Sequence, residues 1–517
     1  MPEIEIKAED PFSPDTSTLM DELSESLKTI TGSSGRGSFH LEEMNDTKSV
    51  FAVARNPGHA AIGCGALRPV DEKTAEVKRV YAKIEGRGIG RKILAFLERE
   101  AYGMGYSRLI LEIRRINRRA VSFYERNGYT SIPNYGKYAQ NDQAICFEKR
   151  IRGGGPDQNL LETVCMLRHA LHRLPEPSGE EQKTKEYLMA FLRKHTSLRL
   201  EDGGQWFCAV HKEPEAAETI AFRAEMDALP CGDGYAHLCG HDGHCAALAG
   251  LGLALEGRKL GRNIVLIFQH AEETGAGGRV CCGAIQKFGV RRVYAFHNIP
   301  GWEEGTVLLR SGTFACASRG MTLSFTGTPS HAAYPQNGRN PGFAAARLIA
   351  ALPEIVKPDR YKGLTMATLV GCKTGVKAFG SAAGSAEVWL TLRAWREEDL
   401  SALTASLEQV ARSEAARDEV GFFDSFCDVF PVTVNDQSAL EQLEKISRSA
   451  GLSCADVPEP FRWSEDFGYY GSAGAQGVMV GIGAGKDWPQ LHTEHFEFND
   501  RIFPSVLTLF LSLAQFG

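Results

Sequence analysis

Residues 237–246, HLCGHDGHCA, hold Cys239, His241, Asp242 and His244 within six consecutive positions, separated by two glycines. Thiolates and imidazoles are the side chains that bind divalent metals of intermediate softness. Glycine permits tight backbone turns, so a short loop can direct several such side chains at one point. This stretch therefore predicts a metal site in the larger, carboxyl-terminal part of the chain.

Apolar runs bounded by turn signals lie on both sides of this stretch, in ETIAFRAEMD (218–227), NIVLIFQHAEE (263–273) and RVYAFHNIP (292–300). Their length and continuity are typical of buried parallel strands that alternate with helices such as CAALAGLGLALEG (245–257). Acids and histidines follow these strands, at the edge where open α/β sheets bind ligands. The pattern predicts a domain of the α/β class whose chemically active residues lie at that edge of the sheet.

Two adjacent acids, Glu272 and Glu273, suit a division of labour at such a site. One carboxylate binds metal while its neighbour transfers the proton of a metal-activated water. Glu225, Asp227 and the histidines of FHNIP and LHTEHFEFND stand in similar positions. An isolated histidine is more often an ordinary structural residue. Four histidines are accordingly assigned no role: His169, His172, His195 and His211.

The composition sets limits on the class of protein. A chain of 517 residues exceeds one hydrophobic core and predicts two to four domains. The net charge of −6 argues against nucleic acid or an anionic membrane as partner. No apolar run reaches the ~20 residues of a membrane span. Thirteen scattered cysteines without an export signal predict reduced thiols and a cytoplasmic protein.

Composition shifts divide the chain into parts. Residues 152–157, with three glycines and a proline, are predicted to be a linker after a first domain at 1–151. The catalytic domain is predicted at 158–312 and 431–517. Between these segments, residues 313–430 follow the order βαββαβ of a ferredoxin-like satellite domain. The predicted fold class is therefore α/β throughout, with one inserted domain.

In the first domain, a predicted strand at 75–82 leads into EGRGIGRKILAFLEREA, residues 85–101, an amphipathic helix that begins with Gly86, Gly88 and Gly90. Glycines at a helix amino terminus let backbone N–H groups approach a phosphate. Such a trio alone is equally compatible with a simple turn, and no ribose-binding acid follows at dinucleotide spacing. The next unit decides between them: a strand SRLILEI, then NRRAVSFYERNGYTSI.

Together these segments resemble the GNAT N-acetyltransferases over residues 3–151. The resemblance implies that the glycine loop grips the pyrophosphate of acetyl-CoA and that the preceding strand pairs with the pantetheine arm. It also implies that Tyr124 gives a proton to the leaving thiolate; the alternative is a core aromatic. The residues implied in cofactor binding are Val80, Arg87, Gly88, Gly90 and Asn117.

Two acids of this domain leave questions open. The family usually has Gln or Arg where this chain has Glu85, which weakens pyrophosphate binding unless Arg87 and Arg91 compensate. Glu76 is a candidate general base, and its alternative is a solvated strand residue.

Residues 157–517 resemble the aminoacylase/carboxypeptidase metallopeptidase superfamily, in particular its auxin-conjugate and hippurate amidohydrolases. The matching segments, in order, are LHRLPEPSGEEQKT, RAEMDALP, HLCGHDGHCA, QHAEETGAGG, FHNIP, GTPSHAAYP, WSEDFGYY and LHTEHFEFND. The resemblance implies two divalent ions, zinc or manganese. It implies Glu272 as catalytic base, Asp227 as the residue that orients a ligand imidazole, and His331 as a donor to the oxyanion. The implied metal ligands are Cys239, His241, Glu273, His297 and His492.

Further expectations concern the substrate pocket. Arg339 and Asn340 are candidates for binding a substrate carboxylate, with a surface charge and a helix cap as the alternative. The loop between Asp227 and Cys239 is shorter than relatives usually have. His237 and His244 are expected near the metals without binding them. Glu465 and Asp466 match a family motif to which the sequence assigns no role.

The sequence thus predicts a bifunctional enzyme for small-molecule substrates. One domain would acetylate an amine with acetyl-CoA, and the other would hydrolyse an N-acyl amino acid or similar amide. An alternative keeps only the hydrolase active, with the first domain a degenerate acetyl-CoA-binding regulatory module. A binding module with an inactive metal site is disfavoured because ligands and base are all present. The resemblance also implies a homodimer formed through the satellite domain.

Overall fold

The computed structural model of the chain describes residues 4–46, 48–84, 86–151 and 156–517. Two sequence predictions fall partly on other residues. Glu85 lies outside the described residues, and so do residues 152–155 of the predicted linker.

The amino-terminal part is a seven-stranded sheet in the order β1-β2-β3-β4-β5-β7-β6. Its strands are β1 Glu5–Ala8, β2 Val50–Arg55, β3 Ala61–Pro69, β4 Thr74–Ala82, β5 Arg108–Arg114, β6 Thr130–Ile132 and β7 Ala144–Arg150. Its helices are α1 Pro14–Thr31, α2 Ile89–Gly103 and α3 Arg118–Arg126.

A split between β4 and β5 dominates this sheet. Residues 74–76 of β4 pair in parallel with residues 108–110 of β5, and both strands continue beyond this short pairing. Arg79 has a φ of +56°, and the pairing of β4 with β3 shifts register there, which is the geometry of a bulge. Beyond Glu76, within the described residues, β4 no longer pairs with β5.

The helix that follows β4 begins at Ile89, four residues later than the sequence pattern suggests. Gly86 and Gly88 have φ values of +71° and +69°, a region that favours glycine, so the chain turns sharply before the helix starts. The glycines therefore form the loop at the amino terminus of α2.

The carboxyl-terminal part contains an eight-stranded sheet in the order β21-β15-β23-β14-β10-β13-β9-β8. As predicted, β10, β13 and β14 are buried and parallel. Its strands and the adjoining hairpin (β11, β12) are β8 Arg199–Asp202, β9 Phe207–His211, β10 Thr219–Glu225, β11 Leu229–Cys231, β12 Gly234–Ala236, β13 Asn263–Gln269, β14 Val290–Pro300 and β15 Val307–Leu309. The helices of this segment are α4 Gln158–Leu171, α5 Gln182–His195, α6 His241–Ala254, α7 Gly277–Cys281 and α8 Gly283–Phe288.

A second antiparallel sheet, in the order β17-β18-β16-β19, carries two helices on one face. Its elements follow the predicted order: β16 Gly312–Thr326, α9 Gly342–Ile355, β17 Thr365–Thr374, β18 Ser385–Ala394, α10 Glu397–Arg417 and β19 Gly421–Phe430. The first residues of β16 pair with β20 Thr433–Asn435 and β22 Phe461–Ser464, so this strand joins both units. The boundaries of a separate satellite domain stay a prediction.

The chain then returns to the larger sheet. The remaining elements are α11 Gln437–Ser449, β21 Cys454–Asp456, α12 Gly468–Ser472, β23 Gln476–Gly485 and α13 Phe503–Phe516. All thirteen cysteines are free thiols. Among the described residues, no helix combines the length and apolar character needed to cross a membrane.

Candidate metal centre and acetyl-transfer site

Loop and strand ends of the larger sheet bring the five predicted metal ligands to one place. Cys239 precedes α6, and Gly240, at φ +90°, turns the chain so that His241 begins the helix. Glu273 follows β13, whereas His297 lies within β14 because that strand runs on to Pro300. His492 comes from the loop after β23.

The ligand atoms of these residues converge. Cys239 Sγ lies 3.4 Å from His297 Nε2 and 3.4 Å from His492 Nε2. Glu273 Oε1 lies 3.8 Å from His241 Nε2 and 3.8 Å from His492 Nε2. Within the described part of the chain, His241 Nε2 and Glu273 Oε1 are buried without a hydrogen-bond partner. Because buried polar atoms are normally paired, these two atoms fit divalent metal ions.

Asp227 fixes the orientation of His241. Its Oδ1 accepts from His241 Nδ1 at 3.2 Å, while its Oδ2 accepts from the Ser178 hydroxyl at 2.7 Å and from the Glu273 amide at 2.8 Å. Burial opposes ionisation, but these hydrogen bonds outweigh it and hold the pKa of Asp227 below its usual value. This charged carboxylate leaves His241 Nε2 free to face the metal site.

The charge on His241 follows from the same neighbours. Burial disfavours the imidazolium, yet the carboxylates of Asp227, Glu225 and Glu273 raise the pKa of His241 to about 10. Ligation requires the neutral ring, so metal binding releases this proton and is favoured as the pH rises.

Glu272, the predicted base, is buried beside the ligands, with Oε2 3.9 Å from His241 Nε2. Its Oε1 accepts weakly from the Asp466 amide at 3.4 Å. Burial, then repulsion from Glu465 and Glu273, raises the pKa of Glu272 well above its usual value. A carboxyl group with such a raised pKa is suited to take up and release a proton.

An ion-pair cluster beneath the site was not predicted from the sequence. Arg223 is fully buried on β10, and its guanidinium donates to Glu465 at 2.6 Å and to Asp466 at 2.5 Å. It also contacts Glu225 and donates to Gln269 at 2.8 Å. The acids of WSEDFGYY therefore have a physical role: they balance the charge of Arg223 behind Glu272.

The residues of the predicted acetyl-transfer site lie on β4, on the glycine loop before α2 or in the first turn of that helix, and at or on α3. Asn117 caps α3 by accepting from the Ala120 amide at 3.1 Å. Tyr124 is buried on α3, edge-on to Tyr129 at 5.5 Å between ring centroids, and burial raises its pKa. Gly88 and Gly90, together with the exposed Arg87, lie at the start of α2, and Val80 lies on β4 beyond its pairing with β5.

Glu76 is not a solvated strand residue. Its carboxylate is buried between Lys78 at 2.9 Å and Arg68 at 2.5 Å, and it accepts from the Tyr135 hydroxyl at 2.8 Å. Burial alone would raise the pKa of Glu76, but these ion pairs hold it below the usual value. A cavity of about 690 Å³ opens beside it, lined among others by Glu43 and Tyr138.

Comparison with known proteins matches both parts of the chain. The model of Peptidase family M20/M25/M40 matches residues 221–515, which is more than half of the chain. The chain belongs to this family. The model of the Acetyltransferase (GNAT) family matches residues 17–129. A GNAT domain therefore precedes an M20 hydrolase domain, and both resemblances found in the sequence are confirmed.

Individual relatives cover the M20 part. An uncharacterised hydrolase from Staphylococcus aureus strain USA300 is 28% identical over 382 residues, spanning 69% of this chain and 98% of the relative. The Bacillus subtilis YXEP protein, a dinuclear metal-binding M20 peptidase, superimposes with a TM-score of 0.59 at 24% identity over 69% of this chain and 98% of that one. The aminobenzoyl-glutamate utilization protein from Klebsiella pneumoniae gives 0.56 at 21% identity over 69% and 97%.

Residues around the M20 site fall into two groups. His244 uses both ring nitrogens within the protein, Nδ1 on Glu225 at 2.9 Å and Nε2 on Asn298 at 2.5 Å, so neither is available to a metal. His237 is buried, and its ring nitrogens find no hydrogen-bond partner among the described residues. That His237 lies near the metals without binding them stays a prediction.

The predicted substrate-binding residues of the satellite segment lie on its surface. His331 is exposed; its Nδ1 accepts from the Ala333 amide at 3.1 Å and its ring contacts Tyr334. Arg339 pairs with Glu419 at 2.6 Å, and Asn340 accepts from the Gly342 amide at the start of α9. For Arg339 and Asn340 the structure thus favours the alternative of surface charge and helix cap. The role of His331 stays a prediction.

Proposed function

We propose that the M20 domain is a metal-dependent amidohydrolase that cleaves an N-acyl amino acid or a similar linear amide. The observation that carries this proposal is the convergence of five ligand side chains, including the unpartnered His241 Nε2 and Glu273 Oε1, beside the buried Glu272. Mixed thiolate, imidazole and carboxylate ligands favour zinc or manganese. When bound, two such ions would supply Lewis-acid activation of a water and of the amide carbonyl.

The protein's own groups then have separate tasks. Glu272 takes a proton from water and delivers it to the leaving amine, since its raised pKa suits both steps. Asp227 holds the His241 ring in one tautomer. His331 would donate to the developing oxyanion once the satellite segment closes over the substrate.

A substrate panel tests this proposal. Metal-free protein is reloaded with Zn²⁺ or Mn²⁺ and offered N-acetyl, N-benzoyl and aminobenzoyl amino acids, with simple esters and dipeptides as comparison. The aminobenzoyl group is included because one structural neighbour is an aminobenzoyl-glutamate utilization protein. Metal-restored release of a free amino acid is expected; cleavage that persists in the metal-free protein would contradict the proposal.

We further propose that the GNAT domain uses acetyl-CoA to acetylate a small amine. Acetyl-CoA would supply the acetyl group, and the open edge of β4 beyond Glu76 supports this cofactor. Tyr124 is assigned to give a proton to the leaving thiolate. Removal of the Tyr124 hydroxyl in Tyr124→Phe should lower the rate of acetyl transfer without weakening cofactor binding.

Glu112 is a better proton acceptor than Glu76 for this reaction. Glu76 and Ile110 are paired across β4 and β5, so Lys78 and Glu112 come next on the same face, where the strands part. Burial raises the pKa of Glu112, and Lys78 and Arg114 only partly offset it. Acetylation across a panel of amines should fall in Glu112→Gln and survive in Glu76→Gln.

A second candidate keeps the GNAT domain as an acetyl-CoA-binding regulatory module without transferase activity. The observation in its favour is that Arg91, a residue expected to offset Glu85, is paired with Glu213 and Glu215 of the hydrolase domain. The amine panel separates the two candidates. Acetyl transfer to no amine, with acetyl-CoA still bound, would favour the regulatory module.

We further infer a homodimer and a cytoplasmic location, which the sequence also predicts. A homodimer through the satellite segment is supported by apolar side chains on the exposed face of its sheet, such as Phe423, which is 67% exposed. A cytoplasmic location is supported by the thirteen free thiols. Light scattering of the full chain tests the dimer, and a monomeric mass at micromolar concentration would contradict it.

A further inference from the structure

Helix α2 is shared by the two domains. One face of it covers the GNAT sheet, and its carboxyl-terminal half packs on the hydrolase domain. Tyr102 stacks on Phe516 with 4.0 Å between ring centroids, and its hydroxyl lies 3.3 Å from Ser512 Oγ. Glu100 pairs with Lys445 at 3.2 Å. The helix that carries the glycine loop is therefore anchored in the other domain.

The amino-terminal end of α2 is held as well. Arg91, in the first turn, places Nη2 3.3 Å from Glu213 and Nη1 3.5 Å from Glu215. Glu213 itself is fixed, because it accepts from the amides of Leu260 and Gly261. Two carboxylates of the hydrolase domain thus neutralise a guanidinium next to the loop that would hold the cofactor's phosphates.

We propose that Glu213 and Glu215 of the hydrolase domain are part of the acetyl-CoA site and set its affinity by competing with the cofactor for Arg91. This inference rests on the proposed binding of acetyl-CoA by the GNAT domain. Pyrophosphate is a bidentate acceptor for arginine, as a carboxylate is, so one guanidinium cannot serve both fully. The two carboxylates also repel the phosphates directly.

The competition has a reciprocal consequence. If the Arg91 pairs weaken cofactor binding, then bound cofactor weakens the contact between the domains by the same factor. Acetyl-CoA thereby loosens the amino-terminal end of the junction, while the Tyr102–Phe516 stack keeps the other end in place. Fusion of the domains makes the acetyl-CoA site responsive to the hydrolase domain.

Calorimetric titration of the full-length chain with coenzyme A, in its free and acetylated forms, tests this proposal. The variants are Glu213→Gln, Glu215→Gln and the double variant. Glu215 is 83% exposed at its side chain, so its substitution avoids the structural role of Glu213 at Leu260. The matched control is Glu201→Gln, which removes a carboxylate of the same domain that pairs with Arg199 and Lys287.

The double variant is expected to bind three- to tenfold more tightly than the unaltered chain, each single variant by less, and the control equally. This gain in affinity should shrink as the salt concentration is raised from about 0.02 to about 0.5 M, because salt screens interactions between exposed charges. Unchanged or weaker binding in the double variant, with a normal melting profile, would overturn the competition while leaving acetyl-CoA binding intact. Failure of every variant to bind either form would overturn both this inference and the proposed cofactor.

Discussion

Replacing Asp227 with asparagine isolates the contribution of one buried carboxylate to the metal centre. In the protein this group accepts from His241, from Ser178 and from the Glu273 amide, and its lowered pKa keeps it charged at neutral pH. Asparagine preserves the shape but offers one acceptor instead of two. The His241 tautomer and the Glu273 backbone are then no longer held together.

The expected size of the effect follows from what Asp227 touches. Residues that orient a metal ligand typically change metal affinity or activity by about 10- to 100-fold. That range corresponds to roughly 1.4–2.8 kcal/mol of binding free energy per affected ion. Because Asp227 contacts two ligand residues, His241 and Glu273, we expect Asp227→Asn to fall near the upper end.

The assay is competition for Zn²⁺ and Mn²⁺ between the protein and a chromophoric chelator, followed by amide hydrolysis at saturating metal. Asp436→Asn is the matched control: it also removes a charged carboxylate with a lowered pKa, but at the amino-terminal cap of α11. Because asparagine caps a helix about as well as aspartate, the control should lose little stability and no metal affinity. If Asp227→Asn binds metal within twofold of the unaltered chain, the reasoning about Asp227 is wrong.

Three other substitutions have defined outcomes. Glu76→Gln should destabilise the GNAT domain most at neutral pH, because the lowered folded pKa of Glu76 stabilises the fold only while the carboxylate is charged. In urea unfolding, the difference in unfolding free energy between this variant and the unaltered chain should shrink below about pH 4.5 and vanish below the folded pKa. A difference that grows on acidification would contradict the ion pairs with Lys78 and Arg68. Arg223→Met leaves the buried Glu225, Glu465 and Asp466 without their cation and should cost about 3–5 kcal/mol of unfolding free energy, whereas a cost under 1 kcal/mol would exclude the cluster as a determinant of stability. Tyr102→Ala should cost about 3 kcal/mol at the junction and separate the calorimetric transitions of the two domains, and a single unshifted transition would show that the stack on Phe516 does not couple them.

The fold class was within reach of the sequence because its signals are local, whereas the set of five predicted metal ligands came from the family resemblance. Buried strands end in acids or histidines, and parallel strands bring these ends to one edge of the sheet. Cys239 and His241 stand two positions apart in a glycine-rich turn. Such features depend on neighbouring residues in the chain, so they are visible in the sequence without knowledge of the distant contacts.

Arg223 shows what the sequence does not reveal. It lies in a mostly apolar strand, and its partners Glu465 and Asp466 lie more than 240 residues further along. The pairing of Arg91 with Glu213 crosses from one domain to the other and leaves no pattern within either. Likewise, the sequence does not show that Glu76 is enclosed by Arg68 and Lys78 rather than solvated.

The central claim is that a metal centre built from Cys239, His241, Glu273, His297 and His492 works with Glu272 as its proton carrier. The most direct measurement is amide hydrolysis by Glu272→Gln together with its bound-metal content. Two ions per chain, as in the unaltered protein, with turnover lowered by roughly 10²- to 10⁴-fold, is the expected result. Turnover equal to that of the unaltered chain, or turnover that withstands complete removal of metal by a chelator, would contradict the account.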